Sequence, residues 1–294
     1  MCDNSYLDGH SGAAVRTQQS LVLTVPAFNE EATIERCVRE LVRLSLQWDY
    51  ITTIIVAEDG STDRTREILS RLQTEFPEIR VLVDREKRGR GFAIRRAWSG
   101  LVADIFAFTD ADLPAGVEGL TRVVKSVGTG REIATGSRYA AGAVTVRPPL
   151  RSFVSRRYNG LLRVLFRETI RDHQCGVKAF AFTAVNAILP IAEEESWFWD
   201  TEALVLATRM GLNVVEVPVT WRETKYARTS LRRLAADVWL HGWGVLRLFI
   251  RSGGPVTSRG SRVPTSVVNL PAEFVGGGAE PQQTGEGSTP LDLD

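Results

Sequence analysis

Asp110 and Asp112, one residue apart, directly follow an apolar run at 105–108. Two carboxylates at that spacing on a strand's end converge on a hard divalent ion and leave coordination positions for phosphate oxygens; the plainer account is an Asx-type turn before Glu118. A second acidic group, Glu58 and Asp59 followed by Gly60, Ser61, Thr62 and Asp63, closes another apolar run. Gly60 permits a tight turn and Thr62 or Asp63 can cap a helix, with one carboxylate left to accept from a nucleobase N–H. Turn and cap alone also explain it. A third group, Pro26-Ala-Phe28-Asn29-Glu30-Glu31, reads as Asn29 capping a helix whose first turn holds two acids. Seven arginines lie between 147 and 171, with Glu168 the one acid among them. That stretch suits an anion held by charge-assisted hydrogen bonds, the alternative being a solvated basic helix face.

The elements that must position these residues alternate. Strands are expected over 21–27, 51–57, 79–83 and 105–109, and helices over 30–45, 64–75 and 91–102; Ile34, Val38, Leu41 and Val42 show the helical spacing. Such alternation implies βαβ units and a mainly parallel sheet, with ligands outside the carboxyl ends of the strands. Three carboxylate groups then crowd one sheet edge, for which stability alone gives little reason. After a fifth strand at 132–137 the alternation stops. A loop is expected over 144–150, a helix over 152–166, an extended run over 175–180, a helix over 200–210 and a strand over 213–221.

Composition limits the partners. With 36 basic and 35 acidic residues in 294, the net charge of +1 gives no global case for nucleic acid. Cys2, Cys37 and Cys175 are widely spaced with no CxxC pair, which suits a reducing compartment and neither a zinc site nor a disulfide framework. Residues 1–20 lack an apolar h-region and read as a disordered leader. No run of about 18 apolar residues occurs, so no membrane span is expected. Residues 231–251 carry an apolar stripe of Leu231, Leu234, Val238, Val245 and Phe249, with Trp239 and Trp243 beside it and Arg232, Arg233, Arg247 and Arg251 for charge. An interfacial helix and a core helix closing the domain both fit. Residues 252–294, rich in Gly, Pro, Ser, Thr and Glu, read as a disordered tail, which leaves 21–230 as the main domain.

Eight motifs occur in an order that resembles the family-two glycosyltransferases: Pro26-Ala-Phe-Asn-Glu30, Glu58-Asp-Gly-Ser61, Gly89-Arg-Gly91, Asp110-Ala-Asp112, Gly136-Ser-Arg138, the run 171–180, Trp199-Asp-Thr-Glu202 and Glu216-Val-Pro-Val-Thr-Trp221. The likeness covers about 21–251 and is nearest the dolichyl-phosphate glucosyltransferase and mannosyltransferase group. It implies a GT-A, Rossmann-like α/β fold. Pro26, Phe28 and Glu30 would border the nucleoside, Asp59 beside Glu58 would contact the base, and Asp110 and Asp112 would hold Mg2+ or Mn2+ and the diphosphate. Arg138 would face donor or acceptor phosphates, while Gln174, Lys178, Asp200 and Glu202 would border the sugar and acceptor. Three departures stand out. Glu58 replaces the usual aspartate, Arg90 stands where lysine is common, and Pro114 replaces a metal-holding side chain of some mannosyltransferases, which counts against a mannose donor.

The expectation is an inverting enzyme that moves a hexose from a UDP-glucose or GDP-mannose type donor to dolichyl or polyprenyl phosphate. It would work peripherally at the cytoplasmic face of a membrane, for protein glycosylation or cell-envelope glycan synthesis. A phosphate monoester, with a second pKa near ~6, is already anionic at neutral pH and needs no strong base. This suits a chain whose histidines are His10, His173 and His241. Arg151 and Arg156 are the residues expected to meet that phosphate. A saccharide or glycolipid hydroxyl as acceptor would instead need Asp200 or Glu202 as base. A silent sugar-nucleotide binding protein is the reading from another class, and the lack of a GxGxxG loop argues against a nicotinamide dehydrogenase.

Overall fold

Residues 18–223 and 231–253 are described by the computed structural model; the leader expected over 1–20 and the tail expected over 252–294 fall almost wholly outside them. The first half runs β1 (Gln19–Ala27), α1 (Ile34–Ser45), β2 (Tyr50–Glu58), α2 (Thr65–Glu75), β3 (Ile79–Val83), α3 (Arg90–Trp98), β4 (Ile105–Thr109), α4 (Gly116–Gly128) and β5 (Ile133–Ser137). The second half adds β6 (Val144–Val146), α5 (Pro149–Phe166), β7 (Val177–Ala181), α6 (Phe182–Ile188), α7 (Trp199–Arg209), β8 (Val214–Pro218), β9 (Thr220–Arg222) and α8 (Leu231–Arg251).

Seven strands form one sheet in the order β3-β2-β1-β4-β7-β5-β8. Every pairing is parallel except those of β7, which runs antiparallel between β4 and β5. The strand order reverses direction between β1 and β4, so a crevice is expected outside their carboxyl ends. Those ends carry Phe28 to Glu30 and Asp110 to Asp112.

Both sheet faces are covered, and the period of two along each strand sorts the core. Leu21, Leu23, Val25, Ile54, Val56, Ile105 and Ala107 meet α1, α2 and α4 on one face. Val22, Ile55, Ala57, Phe106 and Phe108 meet α3, α6 and α7 on the other. Thr24 points to this second face but is polar; its Oγ1 accepts a 3.0 Å hydrogen bond from Trp98 Nε1. The Trp98 ring is ringed by Phe106, Phe108, Phe180 and Trp199 at centroid distances of 5.4–6.1 Å. A smaller cluster of Leu162, Phe166, Phe198, Val205, Val245 and Leu248 joins α5, α7 and α8, so α8 does help to close the domain.

Several elements differ from the sequence expectation. Asn29 does not cap α1, which starts at Ile34 behind Thr33. It sits at φ 55°, a left-handed conformation asparagine tolerates. Strand β6, inside the expected loop, pairs in parallel with β9, and the expected strand over 213–221 is two strands, β8 and β9. Proline opens α5 because its missing N–H is one that a first turn leaves unbonded anyway. No helix among the described residues is long and apolar enough to cross a membrane.

Trp98 makes a direct test of this packing. Trp98→Ala is expected to lower unfolding free energy by about 3–5 kcal/mol. Trp98→Phe, which keeps a ring but leaves Thr24 without its donor, should cost about 1–3 kcal/mol. Urea unfolding followed by circular dichroism reads both.

Candidate active site

The loops after β1 and β2 are stitched to each other. Asn29 N–H donates to Ser61 Oγ at 3.0 Å, Asn29 Oδ1 accepts from Thr62 N–H at 2.8 Å, and Glu30 N–H donates to Thr65 Oγ1 at 2.8 Å. Glu30's carboxylate accepts from Thr33 Oγ1 at 2.6 Å. Glu58 is fully buried: one carboxylate oxygen takes the Ser61 N–H and the other the Arg66 Nε at 2.8 Å. It therefore organises the turn from within. Asp59 accepts from the N–H groups of Arg88 and Gly89, both at 2.8 Å, and so clamps the segment that leads into α3. Burial lifts its pKa above the usual carboxylate range, and the two amide donors pull the other way. Phe28 is half-buried with Lys87 Nζ 4.0 Å from its ring centroid, and Pro26 is half-buried beside it in sequence.

At the end of β4 four charged side chains from four elements join. Asp110 Oδ1 pairs with Arg90 Nη1, Arg90 Nε with Asp200 Oδ2 at 3.1 Å, and Asp200 Oδ1 with Lys178 Nζ at 2.8 Å. The signs alternate along the series. Arg90, Asp200 and Lys178 are buried, while the Asp110 side chain keeps 17% of its surface open. Lys178 Nζ also donates to Cys175 O at 2.6 Å. The Arg90 guanidinium lies 4.9 Å from the Phe108 ring centroid and 4.7 Å from that of Trp197. Its Nη2 is buried with no hydrogen-bond partner among the described residues. Burial raises the Asp110 pKa, Arg90 lowers it, and the charge of Asp112 raises it again, which places Asp112 in the same local field.

Backbone detail makes this junction possible. A Cβ on Gly176 would stand 1.8 Å from Asp110 Oδ2, so only glycine there leaves the carboxylate its position. Gly89, at φ 128°, lets the chain turn into Arg90, and a Cβ there would stand 2.4 Å from Glu195 O. After Asp110 a turn closes through Leu113 N–H to Asp110 O at 3.0 Å, and Arg36 holds the Asp112 carbonyl at 3.2 Å. Pro114 N–H chemistry is absent, but its carbonyl accepts from Arg222 N–H at 2.8 Å.

The remaining expected residues divide. Gln174 Nε2 donates to Thr201 Oγ1 at 2.7 Å and lies 3.4 Å from Trp197 O, close to the Asp200 end of the charged series. Glu202 turns away from Asp200; it accepts the N–H groups of Glu193 and Glu194 and pairs with Arg251, so it anchors a loop and α8 rather than bordering the sugar side. Arg138 is buried and bidentate to Asp172, at 2.7 Å and 2.6 Å, with its own N–H at 2.8 Å from the same carboxylate. Its guanidinium is committed to that pair rather than open to a phosphate. Around it, Arg147 and Arg151 both meet Glu223, and Arg156 stands 5.5 Å from the Tyr139 ring. Burial, and then the neighbouring Arg138 charge, lower the Arg147 pKa. Asp172, Gly176, Trp197 and Thr201 were not singled out from sequence as functional, although the aromatic run at 197–199 behind three glutamates was a visible signal.

Asp110 and Asp112 supply hard oxygen donors. No group of three or more His, Cys, Asp or Glu side chains gathers as a metal site among the described residues. Two carboxylates nonetheless fit Mg2+ or Mn2+, since such ions keep waters and substrate phosphates as their other ligands, and the bare Gly176 gives Asp110 Oδ2 its space.

Comparison with known proteins gives a consistent set. The family model described as Glycosyl transferase family 2 matches residues 23–189. The chain is 40% identical over 239 residues to Glycosyltransferase AglD of Haloferax volcanii, an alignment covering 80% of this chain and 38% of AglD. It thus spans well under half of that relative. It is 30% identical over 235 residues to Dolichyl-phosphate beta-glucosyltransferase ALG5A of Trichomonas vaginalis, covering 74% of this chain and 71% of ALG5A. Among solved structures it is similar in fold to glucosyl-3-phosphoglycerate synthase from Mycobacterium tuberculosis in complex with Mn2+, uridine-diphosphate and glucosyl-3-phosphoglycerate. The TM-score is 0.58 at 20% identity, covering 78% of this chain and 80% of that one.

The Arg138–Asp172 pair yields a pH test. Burial alone would raise the Asp172 pKa, but Arg138's charge and hydrogen bonds outweigh it and hold the carboxyl below its usual value. A depressed carboxyl contributes stability above its unfolded value of about 3.9 and loses it as pH falls through the lower folded value. Asp172→Asn is therefore expected to be destabilised by about 3–5 kcal/mol at neutral pH. The deficit should narrow below pH ~3.9, as read by urea unfolding across pH.

Proposed function

The chain belongs to glycosyl transferase family 2, and from that premise we propose that it transfers a hexose, with inversion, from a nucleoside-diphosphate sugar to a polyprenyl phosphate at the cytoplasmic face of a membrane. The observation that carries the reading is the charged series Asp110–Arg90–Asp200–Lys178 at the open end of a parallel sheet, next to the point where strand order reverses. The name of ALG5A, a dolichyl-phosphate glucosyltransferase, supports a polyprenyl-phosphate acceptor.

In this reading an acceptor phosphate oxygen attacks the anomeric carbon from the face opposite the diphosphate. The glycosidic electron pair leaves on the nucleoside diphosphate, and no proton need move. Asp110 and Asp112 would hold Mg2+ or Mn2+, which when bound supplies neutralisation of charge on the departing diphosphate, a contribution of several kcal/mol in comparable sites. Arg90 fixes the Asp110 carboxylate through Nη1, and its Nη2 is buried with no hydrogen-bond partner among the described residues. Asp200 spans Arg90 and Lys178, holding both cations in place. Arg151 and Arg156, both on α5, are the cations assigned to the acceptor phosphate, Arg151 while also paired with Glu223.

A hydroxyl acceptor is less well supported. It needs a base, and Asp200 already accepts from two cations while Glu202 is taken by two backbone N–H groups and Arg251.

Asp112→Asn tests the central assignment. At about 1.4 kcal/mol per decade, turnover is expected to fall by roughly three decades while the melting temperature stays within a few degrees. The assay is mass spectrometry of lipid products formed from polyprenyl phosphate and a panel of sugar nucleotides; turnover kept at the wild-type level would remove Asp112 from the mechanism. Arg151→Ala should raise KM for the lipid phosphate and leave KM for the donor unchanged.

A further inference from the structure

A cleft of about 690 Å3 lies between the segment 193–198 and α8, inside the ~300–1,000 Å3 range of small-molecule sites. None of the roles given above uses it. One wall is tied to the charged junction. Gly91 N–H donates to Ser196 O at 3.3 Å, Phe92 N–H to Glu195 O at 3.0 Å, and the Trp197 ring stacks on the Arg90 guanidinium. Behind that wall, Phe198 and Tyr158 both turn their rings edge-on to His241, at 6.4 Å and 5.6 Å, and close the α5 side.

The opposite wall is α8, and its chemistry is unusual for a water-facing surface. Leu240, Trp243 and Ile250 are 66%, 54% and 70% exposed, and Trp197 on the facing wall is 56% exposed. Side chains that large and that exposed in one place mark a binding surface more often than chance. The ionised groups around them face one another: Arg88 pairs with Glu195 at 2.7 Å, Arg247 with Glu194 at 2.5 Å, and Arg251 with Glu193 at 2.5 Å and with Glu202. Each of the four glutamates has an arginine within ion-pair reach. What the cleft offers a ligand is therefore chiefly apolar area. A sugar or a nucleotide would lose its hydrogen bonds to water there without replacing them.

The geometry points to the isoprenoid chain of the acceptor as the occupant: the cleft takes the first branched, apolar units that follow the phosphate. This rests on the acceptor reading of the preceding subsection and adds a second subsite to it. Continuity is the argument. Trp197 forms the inner wall of the cleft and the outer wall of the junction, and its carbonyl is also within 3.4 Å of Gln174 Nε2. A lipid whose reacting phosphate oxygen stands at the junction, its other oxygens turned to the α5 arginines, can send its chain past Trp197, and the exposed apolar surface of the described residues on that side lines the cleft.

The experiment uses the full chain in detergent solution, with no bilayer, and a ladder of acceptors: methyl, geranyl and farnesyl phosphate. The comparison is wild type against the double variant Trp243→Asn/Ile250→Asn, both sites being more than half exposed, with thermal melting as the check on folding. In wild type, kcat/KM is expected to climb along the ladder. In the variant the climb should flatten, with about a tenfold loss at farnesyl phosphate, equivalent to about 1.4 kcal/mol, and none at methyl phosphate or in donor KM. An equal loss on every acceptor, or no loss at all, overturns the proposal. So does a loss seen with liposomes and absent in detergent, which would assign these side chains to the bilayer. If wild type transfers to no phosphate on the ladder nor to undecaprenyl phosphate, the acceptor reading itself falls and takes this subsite with it.

Discussion

Four charged side chains in contact, three of them buried, are held together only if their signs alternate, because the cost of removing a charge from water is offset only by excellent local geometry. The series Asp110, Arg90, Asp200, Lys178 meets that condition with contributions from the end of β4, the start of α3, the first turn of α7 and the middle of β7. No two of them share an element. The requirement therefore fixes how the two halves of the chain meet. Strand β7 runs antiparallel between β4 and β5, and in that register Lys178 stands opposite Phe108, the residue two before Asp110. The series sums to zero charge, and within it Arg90 Nη2 is a buried nitrogen without a hydrogen-bond partner among the described residues.

Other carboxylates at the same edge are spent differently. Glu58 and Asp59 draw the backbone of the following turn and of residues 88–89 onto themselves, and Asn29 joins the first loop to the second. Those contacts shape the crevice wall rather than meeting a ligand through a free charge. The Arg138–Asp172 pair does the same on the far side, where it holds the strand end of β5 against the segment before β7. Crowded negative charge at one sheet edge thus serves two ends, the charged junction at β4 and loop construction at β1 and β2.

The alternating first half was legible in the sequence because its strands are apolar on both faces and its helices show a clear stripe; βαβ sterics then leave few topologies. The resemblance of eight ordered motifs located the junction as well. What stayed hidden depends on distant pairing. Arg90 and Asp200 are 110 positions apart and Arg138 and Asp172 are 34 apart, and no spacing rule announces either. Glu202 lies two residues from Asp200, which on a helix turns it to a different side, so a motif that groups them says nothing of where each points. Strand β6 is three residues long beside two prolines and gains its identity only from β9. Helix α4 carries a clear buried stripe of Leu120, Val123, Val124 and Val127, but it is begun by a glycine at φ 65° with Gly119 in its first turn, so poor helix formers stand where its start should be announced.

The arginine at position 90, a departure from the family's usual lysine, finds its reason in the same junction. An ammonium is a compact point charge, whereas a guanidinium is a planar fork able to serve two carboxylates while its faces stack on aromatic rings. Arg90 does both: Nη1 and Nε reach Asp110 and Asp200, and Phe108 and Trp197 each lie within 5 Å of its central carbon. A lysine could supply the charge but not the fork or the stacked plane. The Trp197 ring would then lose the stacked plane that adds to the backbone hydrogen bonds holding the 193–198 segment against α3, the wall shared by the charged junction and the apolar cleft. The substitution is thus coupled to residues more than 100 positions away in the chain, and it ties the chemistry of the strand ends to the surface on which a lipid chain can lie.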